Sequence, residues 1–267
     1  MEIKRKALII NNDRNPGDRD VLLGNIYDVN RFSTFLKTSY GGAWRDDEVV
    51  VSAPNIFTKD SLLEYLKEEI EKNGVNFWLI VFTGHGTILD NGAITCGVVQ
   101  LSPGMLCEVD VIVSALSSCR ALLVFDSCRT IQTITEGRAP IPSAIPDFGD
   151  TDYRIVCRLL YDDAIRNMPE KTQYIAYSCA EGQEAKSSSS LGSLYLYVLI
   201  HVASAKARLA NMVRNTQFLS AKPQIFPFIE IHTQTAYEVV NLTKGGQTPE
   251  YIGSDALPFV VIPGFIK

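Results

Sequence analysis

The chain has 267 residues, 46% of them hydrophobic and 21% charged, a composition that excludes disorder and fibrous repeats. Its 25 Lys and Arg against 30 Asp and Glu leave a formal charge of -5, so no basic field exists to hold nucleic acid by counterion release. The longest apolar stretch, residues 194–205, is broken by His201 and Ser204 and is too short to cross about 30 Å of hydrocarbon, so no membrane insertion is expected.

The basic start MEIKRK is followed only by the short run 7–10 (ALII) before Asn11, Asn12 and Asp13, which is no secretory leader, and a cytoplasmic protein is expected. That run reads as a strand buried on both faces, as do 77–82 (FWLIVF), 121–125 (ALLVF) and 174–177 (YIAY), with 49–51 as a fifth. Between them, 26–36 places Ile26, Val29, Phe32, Phe35 and Leu36 on one helical stripe, and 61–70 does so with Leu62, Leu63, Leu66 and Ile70. Further helices are expected at 109–116, 153–165, 194–209 and 227–242, the last stopped by Gly245 and Gly246, before a closing strand at 257–262. Strands alternating with helices predict an α/β fold, a mostly parallel central sheet flanked by helices on both faces. The six cysteines include no C-x-x-C pair, which fits neither a zinc site nor a disulfide framework, and are expected to be mostly reduced and buried.

Residues 130–152 break the pattern with Pro140, Pro142 and Pro146 and no sustained period. So long a loop is either a linker or a functional segment. An exposed activation or processing loop is the preferred reading, because the strands on either side belong to one sheet.

Each of the four clear strands ends in polar or small residues: Asn11-Asn12-Asp13, Thr83-Gly84-His85-Gly86, Asp126-Ser127-Cys128-Arg129 and Ser178-Cys179-Ala180-Glu181. In a parallel sheet these ends share the edge where ligands bind, so a His and a Cys meet there. A thiol attacks acyl groups as the thiolate and needs a base or positive charge nearby, which an imidazole one strand away supplies. Either residue alone reads more simply as a core side chain. However, His201 and His232 fall within helices, leaving His85, flanked by glycines, as the one histidine at the sheet edge.

The blocks KALIINN, LLGNIYDVNRF, FWLIVFTGHGT, ALLVFDSCRT, YIAYSCAEGQEA and KGGQTPEYIG resemble the caspase and metacaspase superfamily of cysteine peptidases. His85 and Cys128 lie 43 residues apart, near the roughly 50 expected between His and Cys in caspases. The resemblance implies a single caspase-like domain, large-subunit-like over 1–129, with a processing loop at 130–152 and a small-subunit-like part over 153–267. It implies Cys128 as nucleophile, His85 as general acid and base, and the backbone N–H groups of Gly86 and Cys128 as oxyanion donors. Arg129-Thr130-Ile131 stands where metacaspases carry H-S-G, and the arginines of an Asp-specific pocket are missing. Asp126 instead matches the metacaspase acid of the S1 pocket, and Asp28 the acid of the family's helix-start motif; the bland alternative for Asp28 is a solvated helix acid. Two carboxylates favour Arg or Lys at P1. Ser178 and Glu181 join them as substrate-lining positions.

Further expectations rest on the same resemblance. Residues 187–190 lie where the substrate-binding loop runs, and Arg138 and Arg154 are basic sites for self-cleavage. No cofactor is required, although many metacaspases use calcium; Asp147, Asp150 and Asp152 match no calcium loop and read as solvated acids. The partner is a protein or peptide substrate. Caspases dimerise through the last strand, here 257–262, but metacaspases are commonly monomeric, and a monomer is expected. Minimal microbial members act in regulated cell death and antiphage defence, including gasdermin cleavage. The rival readings are a catalytically silent scaffold or effector-complex subunit, which the missing H-S-G favours, and a nucleotide-binding module, against which no phosphate-binding glycine motif follows any strand.

Overall fold

The computed structural model describes residues 2–14, 22–90, 95–130, 153–216, 222–254 and 256–263. In chain order the elements are β1 (Arg5–Asn11), α1 (Asn25–Lys37), β2 (Val49–Val51), α2 (Lys59–Glu71), β3 (Phe77–Thr83), β4 (Gly86–Asp90), β5 (Thr95–Ser102), β6 (Met105–Glu108), α3 (Val109–Ala115) and β7 (Arg120–Asp126). They continue with α4 (Arg154–Asn167), β8 (Gln173–Tyr177), β9 (Ser187–Ser188), β10 (Gly192–Ser193), α5 (Leu194–Thr216), β11 (Gln224–Pro227), α6 (Phe228–Thr243), β12 (Glu250–Ile252) and β13 (Pro258–Ile262).

The central sheet runs β12-β8-β7-β3-β1-β2, parallel throughout except for β12, which pairs antiparallel with β8. Alternate residues of its middle strands feed two separate cores, which is why these strands read as unbroken apolar runs. Ala7, Ile9, Leu79, Val81, Leu122 and Val124 face the side packed by α1, α4, α5 and α6. Leu8, Ile10, Trp78, Ile80, Leu123 and Phe125 face the side closed by Leu62 and Leu66 of α2 and Ile112 of α3. The helices begin and end for local reasons. At α2, Thr58 Oγ1 accepts from the Ser61 N–H at 3.2 Å while the Thr58 N–H donates to Ser61 Oγ at 2.9 Å, a reciprocal cap. At the end of α6 the left-handed position falls on Lys244 (φ 54°), one residue before the expected glycines, and the Gly245 N–H closes the turn onto the Val240 carbonyl.

The five expected strands and six expected helices are present, with α5 extending to Thr216 rather than ending near 209. The expected closing strand is present as β13. Residues Pro258–Ile262 do not join the central sheet; they pair with β11 and are buried along their whole length, and the sheet edge belongs to β12. The three-stranded antiparallel sheet β4-β5-β6 was not expected, because its strands carry no continuous apolar run: Val99 and Cys107 turn inward, while Met105 and Leu106 are exposed. The valines of β2 are also buried only in part, since Val51 sits exposed at the other sheet edge. Cys107, Cys119, Cys157 and Cys179 are buried as expected. The processing loop read at 130–152 falls, from residue 131 on, outside the described residues, together with Arg138, Asp147, Asp150 and Asp152.

Phe259 of β13 packs against Phe35, Phe32 and Phe228, with ring centroids at 5.3, 6.4 and 5.0 Å. Phe259→Ala is therefore expected to destabilise the fold by about 3–5 kcal/mol, measured by urea unfolding, whereas a loss below about 1 kcal/mol would mean that β13 is not part of the core.

Candidate active site

Register places the polar strand ends in rows. Asn11 of β1, Thr83 of β3 and Asp126 of β7 are direct neighbours across the sheet. The ladder runs one step further, through Asn12 N–H to the Thr83 carbonyl (3.0 Å) and Gly84 N–H to the Asp126 carbonyl (3.1 Å). His85 and Cys128 each stand two residues past this row, on the segments that leave the neighbouring strands β3 and β7. The register thus brings the two expected catalytic residues to the same edge of the sheet, past neighbouring strands.

The glycines flanking His85 are required by space. Gly84 has φ +150°, and a side-chain carbon there would lie 2.3 Å from the Asn12 carbonyl oxygen. A side-chain carbon on Gly86 would lie 2.5 Å from Ser127 Oγ, so the turn after β3 rests directly on the residue preceding Cys128. The backbone of His85 is held on both sides: its N–H donates to Asn12 Oδ1 at 3.2 Å, and its carbonyl accepts from the Gln100 N–H at 2.9 Å. The ring is half-buried. The other histidines are occupied elsewhere. His201 is exposed and stacks on Tyr197, while His232 is buried, hydrogen-bonds Tyr195 through Nδ1 at 3.0 Å and has its pKa pushed down to about 4 by burial.

Cys128 is half-buried. Burial raises its thiol pKa, the Ala185 N–H works in the opposite direction, and Glu184 and Asp126 add to the rise. Its surroundings therefore favour the thiol over the thiolate.

Asp28 and Asp126 meet on the α1 and α5 side of the sheet. Asp28 is 2% exposed and Asp126 4%, so neither is a solvated acid. The Asp28 carboxylate accepts the Ser193 N–H at 2.8 and 3.0 Å and lies 3.4 Å from Arg31 Nη1. Gly192 (φ +82°) leaves the room for it, since a side-chain carbon there would sit 2.2 Å from Asp28 Oδ1. Around Asp126, the hydroxyls of Ser193, Ser178 and Thr83 favour the charged form. Its Oδ1 has no hydrogen-bond partner among the described residues. Burial pushes the Asp126 pKa up to about 6, and burial followed by the charge of Asp126 raises that of Asp28 well above the usual carboxylate range. Two acidic side chains are thus buried side by side, one of them with an unpartnered oxygen.

Ser178, fully buried beside Asp126, is part of this group. Glu181 is engaged elsewhere: its side chain is 65% exposed and pairs with Arg129 Nη2 at 2.9 Å. Within 187–190, Ser187 and Ser188 pair with Ser193 and Gly192 as the small β9-β10 hairpin, whose Ser188 carbonyl lies against Gly24 at the start of α1. Arg154, read as a possible self-cleavage position, is the first residue of α4, with its guanidinium on the carbonyls of Lys37 and Trp44. Among the described residues, no group of three or more His, Cys, Asp or Glu side chains is arranged to hold a metal ion.

Arg129 is the residue whose role the sequence did not disclose. Its backbone pairs both ways with the 182–183 turn, N–H to the Gln183 carbonyl at 3.0 Å and carbonyl from the Gly182 N–H at 2.9 Å. Its guanidinium lies 4.1 Å over the Tyr177 ring and pairs with Glu181 and Glu250. The departure from H-S-G that favoured a silent scaffold thus has a structural account: a clamp that ties the Cys128 loop to β8 and β12. Glu250 lies 121 residues away in sequence, so no local signal could have exposed this contact.

The Peptidase_C14 family model, described as the caspase domain, matches residues 4–256. No curated protein matches the chain. Among solved structures, caspase-1 from Spodoptera frugiperda superposes with a TM-score of 0.55 at 14% identity, over 94% of this chain and 87% of that one, a likeness of fold. With the matched model spanning nearly the whole sequence and a sheet edge that gathers a Cys and a His, this chain belongs to the caspase-domain family of cysteine peptidases.

Proposed function

We propose that the protein is an endopeptidase that cleaves after Arg or Lys, with Cys128 as nucleophile and His85 as general acid and base. The observation that carries the specificity is the unpartnered, buried Oδ1 of Asp126 beside Asp28, two residues before Cys128. A P1 guanidinium or ammonium supplies the positive charge and the donor that Asp126 Oδ1 lacks. In the first step the Cys128 sulfur bonds to the scissile carbonyl carbon while its proton passes to His85, and the carbonyl electrons move onto oxygen. The N–H groups of Gly86 and Cys128 are the proposed donors to that oxyanion. Collapse breaks the C–N bond, His85 returns its proton to the leaving amine, and a water activated by the same imidazole hydrolyses the thioester. Cleavage within 131–152, for example after Arg138, and a role in microbial regulated cell death or antiphage defence with a gasdermin-type substrate are extensions that rest on the family resemblance alone.

The purified protein and Cys128→Ala, assayed on a peptide library with varied P1, with and without calcium, test the reading. Cleavage after Arg or Lys that falls by at least about 10³-fold in the variant is expected. Cleavage after Asp would remove the assigned roles of Asp28 and Asp126, and activity surviving in Cys128→Ala would remove the nucleophile.

The acid pair also predicts a pH dependence. The ionised Asp126 binds the cation, so kcat/KM for an Arg substrate is expected to fall as pH drops through about 6. Asp126→Asn should lower kcat/KM on the order of 100-fold, a cost typical of an uncompensated buried ion pair. Stability should move the other way. A carboxyl whose folded pKa is raised destabilises the native state increasingly as pH rises through that value, so Asp126→Asn should raise the thermal midpoint at pH 8 and gain little at pH 4. A midpoint difference that is the same at both pH values would contradict the buried-charge assignment.

A further inference from the structure

The Asn11-Asn12-Asp13 end of β1 is a polar strand end to which the proposed reaction assigns no role. Asn12 is completely buried, and its amide faces the turn that carries His85. We propose that Asn12 is a positioning residue for His85, held in turn by Asn55 and Asp13. This rests on the reading of His85 as the general acid and base.

The polarity of the contacts leaves a single arrangement. Asn12 Oδ1 accepts the His85 N–H at 3.2 Å, and a backbone N–H can only donate. Asn12 Nδ2 must then face acceptors, and it donates to Asn55 Oδ1 at 2.8 Å and to the Arg14 carbonyl at 3.4 Å. Asn55 Nδ2 donates onward to Asp13 Oδ1 at 2.7 Å, and a carboxylate can only accept. The chain His85, Asn12, Asn55, Asp13 is therefore directed from one end to the other, and neither amide can turn over without setting like groups against each other. Asn55 holds its place through a left-handed backbone (φ 57°) and a 3.0 Å bond from its N–H to the Asn11 carbonyl; its Oδ1 also accepts the Asp13 N–H at 3.2 Å. On the other side, Asn25 of α1 donates to the Asn12 carbonyl at 2.8 Å, the same carbonyl that leaves room only for glycine at Gly84. The turn bearing the imidazole is thus pressed against Asn12 through Gly84 and hydrogen-bonded to it through His85.

Asn12→Ala removes the amide, and Asn55→Gly removes only its support while keeping the left-handed backbone, so the second variant remains informative if the first fails to fold. Two readouts are taken on the full chain: steady-state cleavage of an Arg peptide, and the pH profile of Cys128 alkylation by iodoacetamide. His85→Ala serves as the reference for an absent imidazole, and Phe259→Ala for a fold that is merely weakened. The expected result is a 10- to 100-fold lower kcat with KM changed less than about threefold, the range for a displaced general acid-base group. The alkylation profile is expected to move toward that of His85→Ala, with Phe259→Ala retaining the wild-type profile at temperatures where it is folded. Wild-type kcat and alkylation profile in folded Asn12→Ala or Asn55→Gly would overturn the proposal, as would a loss that Phe259→Ala shares in full. If the wild type cleaves nothing but Asn12→Ala still reproduces the His85→Ala alkylation profile, the positioning role stands and the peptidase reading of the site fails.

Discussion

Because β1, β3 and β7 are buried on both faces, a slip of one residue would drive Ile10 of β1, Trp78 of β3 or Phe125 of β7 out of one core and into the other. Packing therefore locks the register that sets Asn11, Thr83 and Asp126 in one row. Everything at the site hangs from that row. His85 and Cys128 stand the same distance beyond it, Asp126 points to the α1 side where Asp28 waits, and Ser127 points to the other side where Gly86 closes on it. A register held by two hydrophobic cores places polar groups more firmly than loops could.

The fold treats its buried charges in two ways. Arg5, at the opposite end of β1, is surrounded: its guanidinium lies 3.1 Å from Asp162 and 3.5 Å from Glu48, donates to the Gly42 carbonyl at 2.6 Å and stacks 4.6 Å over Trp44. That is how a structural charge is buried, with two carboxylates, a carbonyl and an aromatic face gathered round it. Asp28 and Asp126 are buried beside each other, with Arg31 as the nearby cation on Asp28 and a bare oxygen on Asp126. Burial raises the pKa of both carboxyls, and the charge of Asp126 raises that of Asp28 further, a cost to the chain that packing elsewhere offsets.

The loops around Cys128 are held by contacts from distant parts of the chain. Arg129 binds the 182–183 turn through its backbone and β12 through Glu250, while Gln247 Nε2 donates to the Ser178 carbonyl at 2.8 Å and Gln247 Oε1 accepts from the Lys186 N–H at 2.9 Å. The Cys128 loop, the strand-end loop after β8 and the C-terminal edge strand are thus joined as one hydrogen-bonded unit. The expected departure at Arg129 loses its force against catalysis once this clamp is seen, since the side chain points away from chemistry and into structure.

The sequence by itself determined the α/β class, the five central strands, the six helices and the gathering of His85, Cys128 and Asp126 at one sheet edge, because each follows from local periodicity and from the rule that parallel strands end together. It could not settle whether Asp28 was a solvated helix acid or half of a buried pair, since that depends on Gly192 and Ser193 arriving from the far side of the chain. The β4-β5-β6 sheet escaped it because half-exposed strands lack an apolar run, and the pairing of β13 with β11 escaped it because an apolar run does not say which sheet it joins. Asn12 under His85 and Arg129 on Glu250 are contacts across 73 and 121 residues, and only the folded chain decides such partners, because a side chain's neighbours are set by packing rather than by its place in the sequence.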